Sequence, residues 1–85
     1  MSEPIQGKRV DKEPHQLESG EYCFWHNGWW GRVPDDRADM IANLANHKII
    51  DNADGTISVT PSILVSSWKG ISWHGYLTNG QWVVC

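Results

Sequence analysis

The feature that most constrains the fold of this chain is the combination of many tryptophans with two Asn-Gly dipeptides. Six tryptophans occur in 85 residues, and none of them falls within the first 24 residues. Asn27-Gly28 and Asn79-Gly80 each lie between aromatic or apolar arms, which is the strongest short-range signal for a β-hairpin. Because each buried aromatic ring removes about 150–250 Å² from water, such hairpins predict a small β domain with an aromatic core.

The first hairpin is expected to carry aromatic rings on both of its faces. A two-residue type I′ turn at Asn27-Gly28 opposes Trp25 to Trp30 and Cys23 to Arg32. Side chains alternate between the two faces of a strand, so tryptophans project on either side of this hairpin. The hairpin is therefore expected either to be buried on both sides or to offer one side to a partner.

The last hairpin predicts a shared face for a histidine and a cysteine. Its Asn-Gly turn opposes Leu77 to Trp82 and His74 to Cys85. Directly opposed residues have Cβ atoms about 5 Å apart, so the imidazole and the thiol are expected to be neighbours. Trp73 and Trp82 are expected to lie in the core.

One segment between the hairpins carries a helix signal. In residues 34–46, Asp35 is a candidate N-cap, and Ala38, Ile41 and Leu44 follow at helical spacing. Residues 48–51 and 56–60 read as strands on either side of a turn. The predicted class is α+β: a small antiparallel sheet or partly open barrel built from hairpins, with one helix packed on it.

Composition divides the chain into a tail and a domain. Residues 1–20 contain few large apolar side chains and alternate acids with bases, which predicts a flexible polar N-terminal tail. Residues 21–85 are predicted to form a single small α+β domain.

Charge and hydropathy disfavour several classes of partner. The formal net charge is −3, and no basic cluster of the kind that binds nucleic acid is visible. No apolar run reaches the roughly 18–20 residues that span a membrane, and no secretory signal is recognisable. The sequence therefore predicts a cytoplasmic protein that contacts neither membrane nor nucleic acid, with a protein as its partner.

Exposed aromatic residues are the candidates for contact with that partner. Tryptophan, tyrosine and arginine dominate the binding energy of protein interfaces. A domain of this size has difficulty hiding every ring, and Trp68 lies in a polar loop. The predicted partner-binding residues are Trp29, Trp30, Trp68 and Lys69.

Zinc is the alternative that the cysteines and histidines leave open. Cys23, His26, His74 and Cys85 are the residue types that complete a tetrahedral site. Cys23 and His26 are three residues apart, however, so a regular strand points them to opposite faces. No cofactor is therefore expected, and no enzyme is predicted, because no third group orients a nucleophilic His74–Cys85 pair.

The second half of the chain resembles a known group of proteins. Residues 54–65 (DGTISVTPSILV), followed by residues 73–77 (WHGYL) and the pair Gly80 and Trp82, are similar to short uncharacterised proteins of tailed bacteriophages and prophages. The resemblance extends back over most of residues 22–85. It implies a small phage or prophage accessory protein in the host cytoplasm that acts by protein–protein contact, such as inhibition of a host or defence protein. A virion structural or decoration component and a small zinc-binding domain are the alternatives.

Overall fold

The computed structural model describes residues 3–38, 40–66 and 70–85. Within these ranges the chain forms short strands and two single-turn 3-10 helices. In chain order they are β1 (Ile5–Gln6), β2 (Lys8–Arg9), a 3-10 helix (Pro14–Gln16), β3 (Glu21–Trp25), β4 (Gly28–Arg32), a 3-10 helix (Asp36–Ala38), β5 (Ile41–Asn43), β6 (Lys48–Asp51), β7 (Ile57–Ser66), β8 (Ser72–Thr78) and β9 (Gln81–Val84).

The strands form two sheets. One sheet has five strands in the order β1-β9-β8-β7-β6, and the other has four in the order β2-β3-β4-β5. All pairings are antiparallel except that of β2 with β3, which is parallel. The predicted strands at residues 48–51 and 56–60 are confirmed as β6 and the start of β7. The predicted inward side chains of that second strand, Ile57 and Val59, are fully buried.

Trp82 joins the two sheets at the centre of the core. Its indole N–H donates a buried 2.8 Å hydrogen bond to the carbonyl of Gly20, and its ring lies over Gly31, where a Cβ would approach within 3.2 Å. Trp73 meets it edge-on with 5.6 Å between ring centroids. The cluster of buried side chains comprises Tyr22, Trp29, Val33, Leu44, Ile57, Val59, Ile63, Val65, Trp73, Leu77 and Trp82. The core assignment of Trp73 and Trp82 is thus confirmed.

The predicted α+β class is wrong, because the helix expected at residues 34–46 does not form. No helix of seven or more residues occurs among the described residues. Ile41–Asn43 instead pairs with β4, and Asn43 opposes Trp30. The Asn43 side chain accepts a hydrogen bond from the Ala45 amide, a local interaction that competes with helix formation. An isolated helix of about 12 residues is marginal, whereas pairing satisfies the open edge of β4.

The predicted N-cap also has a different role. The Asp35 carboxylate accepts the Arg37 amide at 3.0 Å and contacts the Arg37 guanidinium through both of its oxygens. These hydrogen bonds hold the pKa of the Asp35 carboxyl below its usual value. Asp35 therefore stabilises a single local turn that leads into β5.

The sequence predicts a flexible tail at residues 1–20, but residues 3–20 supply β1 and β2, an edge strand of each sheet. Their backbone is tied at several points, including hydrogen bonds from Gly7 to the Gly80 carbonyl at 2.8 Å and from Val10 to the Tyr22 carbonyl at 2.9 Å. Leu17 is 1% exposed. A few backbone pairings and one buried leucine therefore hold a segment whose composition is mostly polar.

The first hairpin turns one residue earlier than predicted. His26 and Asn27 occupy the two positive-φ positions of the turn, with φ of 48° and 63°, and Trp25 opposes Gly28. Trp30 therefore opposes Cys23 instead of Trp25. Each partner moves by two positions, so every side chain keeps its predicted face.

The last hairpin follows the predicted register. Leu77 opposes Trp82, and Asn79 and Gly80 take positive φ of 49° and 75°. At the far end of the hairpin, the Cys85 amide donates to the His74 carbonyl at 2.9 Å. Among the described residues, no helix is long and apolar enough to cross a membrane.

Candidate binding groove and the His74 cluster

An open groove that contains two tryptophans is lined by the first hairpin together with Pro14, His15, Asn43 and Ala45. We call it the Trp25–Trp30 groove, and its volume is about 570 Å³. Both indole rings are partly exposed. The lining residues are Pro14, His15, Trp25, His26, Asn27, Gly28, Trp30, Asn43 and Ala45.

The turn geometry shapes the wall of this groove. Because Trp25 opposes Gly28, no side chain stands across from the Trp25 ring on the neighbouring strand. The Trp25 ring packs edge-on against His26, with 4.8 Å between centroids and 89° between planes. The pairing of β4 with β5 brings Asn43 opposite Trp30, which closes the other side.

Three residues of the groove lining carry hydrogen-bond donors that the protein does not use. Within the described part of the chain, the indole N–H groups of Trp25 and Trp30 have no acceptor, whereas that of Trp82 is bonded. The Asn43 Oδ1 accepts the Ala45 amide at 3.0 Å, and the Asn43 Nδ2 has no acceptor of its own. These groups can therefore donate to a bound molecule without loss of an internal bond.

The lining of the groove carries little charge, and the nearby Glu13 carboxylate lies 3.3 Å from the Nε2 of the lining residue His15. Its described lining contains no Asp, Glu, Lys or Arg, and its titratable side chains are two histidines. A smaller pocket of about 370 Å³ lies beside Phe24 and carries both Arg9 and Asp11. Phe24 and Trp25 are adjacent on β3 and project to opposite faces, so the two depressions lie on different sides of the hairpin.

Of the four predicted partner-binding residues, the structure describes Trp29 and Trp30. Trp30 lines the groove, whereas Trp29 is 9% exposed, so the expected exposure of Trp29 is wrong. The Arg9 guanidinium covers the Trp29 ring at 4.9 Å from its centroid, and Phe24 packs against it at 5.1 Å. The other two predicted residues, Trp68 and Lys69, lie outside the described residues.

The predicted zinc ligands are not assembled into one site. Cys23 is fully buried in the four-stranded sheet, and His26 lies in the hairpin turn. His74 and Cys85 are at the end of the five-stranded sheet. Among the described residues, no three His, Cys, Asp or Glu side chains are grouped to hold a metal ion.

The predicted contact between His74 and Cys85 is confirmed. The Cys85 Sγ lies 4.0 Å from the His74 Nε2, close to the roughly 3.6 Å expected for two ligands on one tetrahedral zinc. The same nitrogen lies 2.8 Å from the Ser62 Oγ, so a hydroxyl competes for it. A hydrogen bond to Cys85 raises the pKa of the Tyr76 phenol. The His74 cluster is thus a small exposed polar network of Ser62, His74, Tyr76 and Cys85.

The sequence predicts other positions for several groove residues: Trp25 and His26 in paired strands, and Asn43 and Ala45 in a helix. The signal for Asn43 and Ala45 was present in Asn43 itself, because asparagine two residues before an open amide favours an Asx turn over a helix.

Comparisons with known proteins give one partial similarity. No protein-family model matches the chain, and no solved structure matches it significantly. A stretch of 51 residues, 60% of this chain, is 35% identical to calcium-dependent protein kinase 5 of Plasmodium falciparum (isolate 3D7). The stretch corresponds to 9% of that kinase, so this chain spans a small fraction of the curated relative it matches.

Proposed function

We propose that this protein is a small bacteriophage or prophage accessory protein that acts by protein–protein contact in the host cytoplasm, such as by inhibiting a host or defence protein. The observation that carries the proposal is the Trp25–Trp30 groove. It combines two partly exposed indole rings and their unused N–H donors with a described lining that contains no Asp, Glu, Lys or Arg.

The groove has the composition of an interface anchor site. Tryptophan contributes a large contact area with few rotatable bonds, and its burial in a pocket of the complex supplies much of the affinity of protein interfaces. Both tryptophans lie on paired strands, so little backbone conformational entropy is lost when a partner binds. A binding role, not a catalytic one, is therefore part of the proposal.

The kinase similarity does not enter the proposal. It covers 9% of that protein, which leaves phosphoryl transfer without a site to argue from. A zinc-binding domain built on Cys23, His26, His74 and Cys85 is not proposed either, because the first two lie apart from the last two.

The test is affinity purification of the whole chain from infected host cells, with two matched variants. Trp25→Ala removes a groove ring, whereas Phe24→Ala removes an exposed ring from the opposite face of the same strand. We expect a host protein to be retained by the wild type and by Phe24→Ala, and to be lost with Trp25→Ala.

Mass spectrometry of purified virions separates the accessory role from the structural alternative. We expect the protein to be absent from virions and present in the infected-cell lysate. A stoichiometric presence in virions, or retention of the same partner by all three forms of the bait, would contradict the proposed function.

A further inference from the structure

We propose that the Trp25–Trp30 groove takes a proline-rich segment of the partner in the polyproline II conformation. This inference rests on the proposed function, because it assigns the chemistry of the segment that occupies the same groove. It follows from three properties of the described lining: its donors, its aromatic rings and its lack of Arg and Lys.

The unused donors call for a ligand that is rich in acceptors. Trp25 Nε1, Trp30 Nε1 and Asn43 Nδ2 have no acceptor among the described residues, and the Asn43 oxygen is already occupied. A polyproline II segment has no internal hydrogen bonds, so all of its carbonyl oxygens can accept. Proline has no N–H, so such a segment brings no donors that the groove would leave unsatisfied.

The ring faces and the wall suit proline side chains. Flat aromatic rings form the grooves that bind prolines in known polyproline II recognition, and the preformed conformation reduces the entropy lost on binding. One wall of the groove already contains a proline of this chain, Pro14, which lines the same space as Trp25 and Trp30. Pro14 thus adds an apolar ring to the lining that a proline-rich segment would contact.

The absence of Arg and Lys from the described lining, together with the Glu13 carboxylate 3.3 Å from His15, disfavours acidic or phosphorylated ligands. Recognition of phosphate or carboxylate groups uses Arg or Lys, and the described lining has neither. An uncharged segment loses no charge solvation when it enters the groove, whereas an ionised one would.

The experiment follows the indole N–H resonances of the ¹⁵N-labelled full chain during titration with a synthetic oligoproline of about eight residues, which extends roughly 25 Å. A Gly-Ser peptide of equal length is the control peptide. We expect saturable shifts for Trp25 and Trp30 with oligoproline, no shift for the buried Trp82, and no shift of any indole with the Gly-Ser peptide.

Variants locate the binding within the groove. Trp25→Ala should weaken oligoproline binding by about tenfold or more, the scale of one aromatic anchor, whereas Phe24→Ala should leave it unchanged. Ala45→Glu is a second groove variant that keeps both indole rings, and it should also weaken binding, because it places a carboxylate, which cannot donate, beside a ligand whose backbone offers only acceptors.

The inference is overturned if millimolar oligoproline leaves the Trp25 and Trp30 resonances unmoved, or if the Gly-Ser peptide shifts them equally. It is also overturned if a neutral oligosaccharide shifts them and oligoproline does not. If a host protein is retained in a Trp25-dependent way while oligoproline shifts neither indole resonance, that result would refute the proline assignment and leave the proposed function standing. Loss of the proposed function is read separately, from retention of the partner by Trp25→Ala.

Discussion

Leu17→Ala tests whether the N-terminal segment is a structural part of the domain. Leu17 is 1% exposed, although the surrounding residues 3–20 are mostly polar. Truncation of a buried leucine to alanine costs about 2–5 kcal/mol, because both the transfer energy and the packing around the side chain are lost. A chain of 85 residues has a total stability of about 4–13 kcal/mol, so we expect a loss of about 3 kcal/mol to lower the melting temperature by more than about 10 °C.

Leu64 supplies the matched control. It is the same residue type at 65% exposure, on the outer face of the five-stranded sheet opposite His74. Leu64→Ala should change the free energy of unfolding by no more than about 0.5 kcal/mol. Urea unfolding followed by tryptophan fluorescence measures both variants. A loss below about 1 kcal/mol for Leu17→Ala, or equal losses for the two variants, would refute the assignment of residues 3–20 to the folded unit.

Three further predictions concern acid stability, packing and thiol access. Burial would raise the pKa of Glu21, but the Glu18 amide and the Lys12 ammonium outweigh it and hold that pKa below its usual value. The ionised carboxylate thus stabilises the fold above the ordinary pKa of about 4.3, and this stabilisation is lost as the pH falls through the folded-state pKa. The difference in urea midpoint between wild type and Glu21→Gln should therefore shrink on acidification. Gly75→Ala should destabilise by about 3 kcal/mol in urea unfolding, because its Cβ would lie 2.6 Å from the Trp73 ring. A thiol reagent should modify Cys85 quickly in the native protein and reach the buried Cys23 only after unfolding, and rapid modification of both would contradict the fold.

The two hairpins show how much of a hairpin's strand register can be predicted from its turn residues. For the last hairpin, the Asn79-Gly80 signal correctly predicted the turn, the opposition of Leu77 and Trp82, and the contact between His74 and Cys85. For the first, Asn27-Gly28 predicted a hairpin with the right faces but the wrong partners, because His26 and Asn27 take the turn positions.

In the first hairpin, packing between aromatic rings competes with the preference of Asn-Gly for the two turn positions. The observed register brings Phe24 opposite Trp29 in an edge-on contact and places Cys23 against Trp30. Histidine and asparagine are among the residues that tolerate positive φ, so the cost of the shifted turn is modest. The preference of Asn-Gly for a turn does not depend on this cross-strand packing. It therefore could not indicate that Trp25 lines the groove.

The helix prediction was wrong for a tertiary reason. Ile41 and Leu44 have helical spacing, but the same residues also suit a short strand followed by a turn. The open edge of β4 decides between them, since pairing with Ile41–Asn43 satisfies its backbone groups. That edge exists only after the first hairpin has formed, so periodicity within residues 34–46 could not reveal it.

The most direct measurement of the central claim is site-specific photo-crosslinking in infected cells. A photoreactive amino acid replaces Ala45, an exposed residue that lines the Trp25–Trp30 groove, or Leu64 on the outer face of the other sheet. We expect a covalent adduct with one host protein from position 45 and none from position 64. An adduct that forms from position 64 and not from position 45 would contradict the proposed role of the groove.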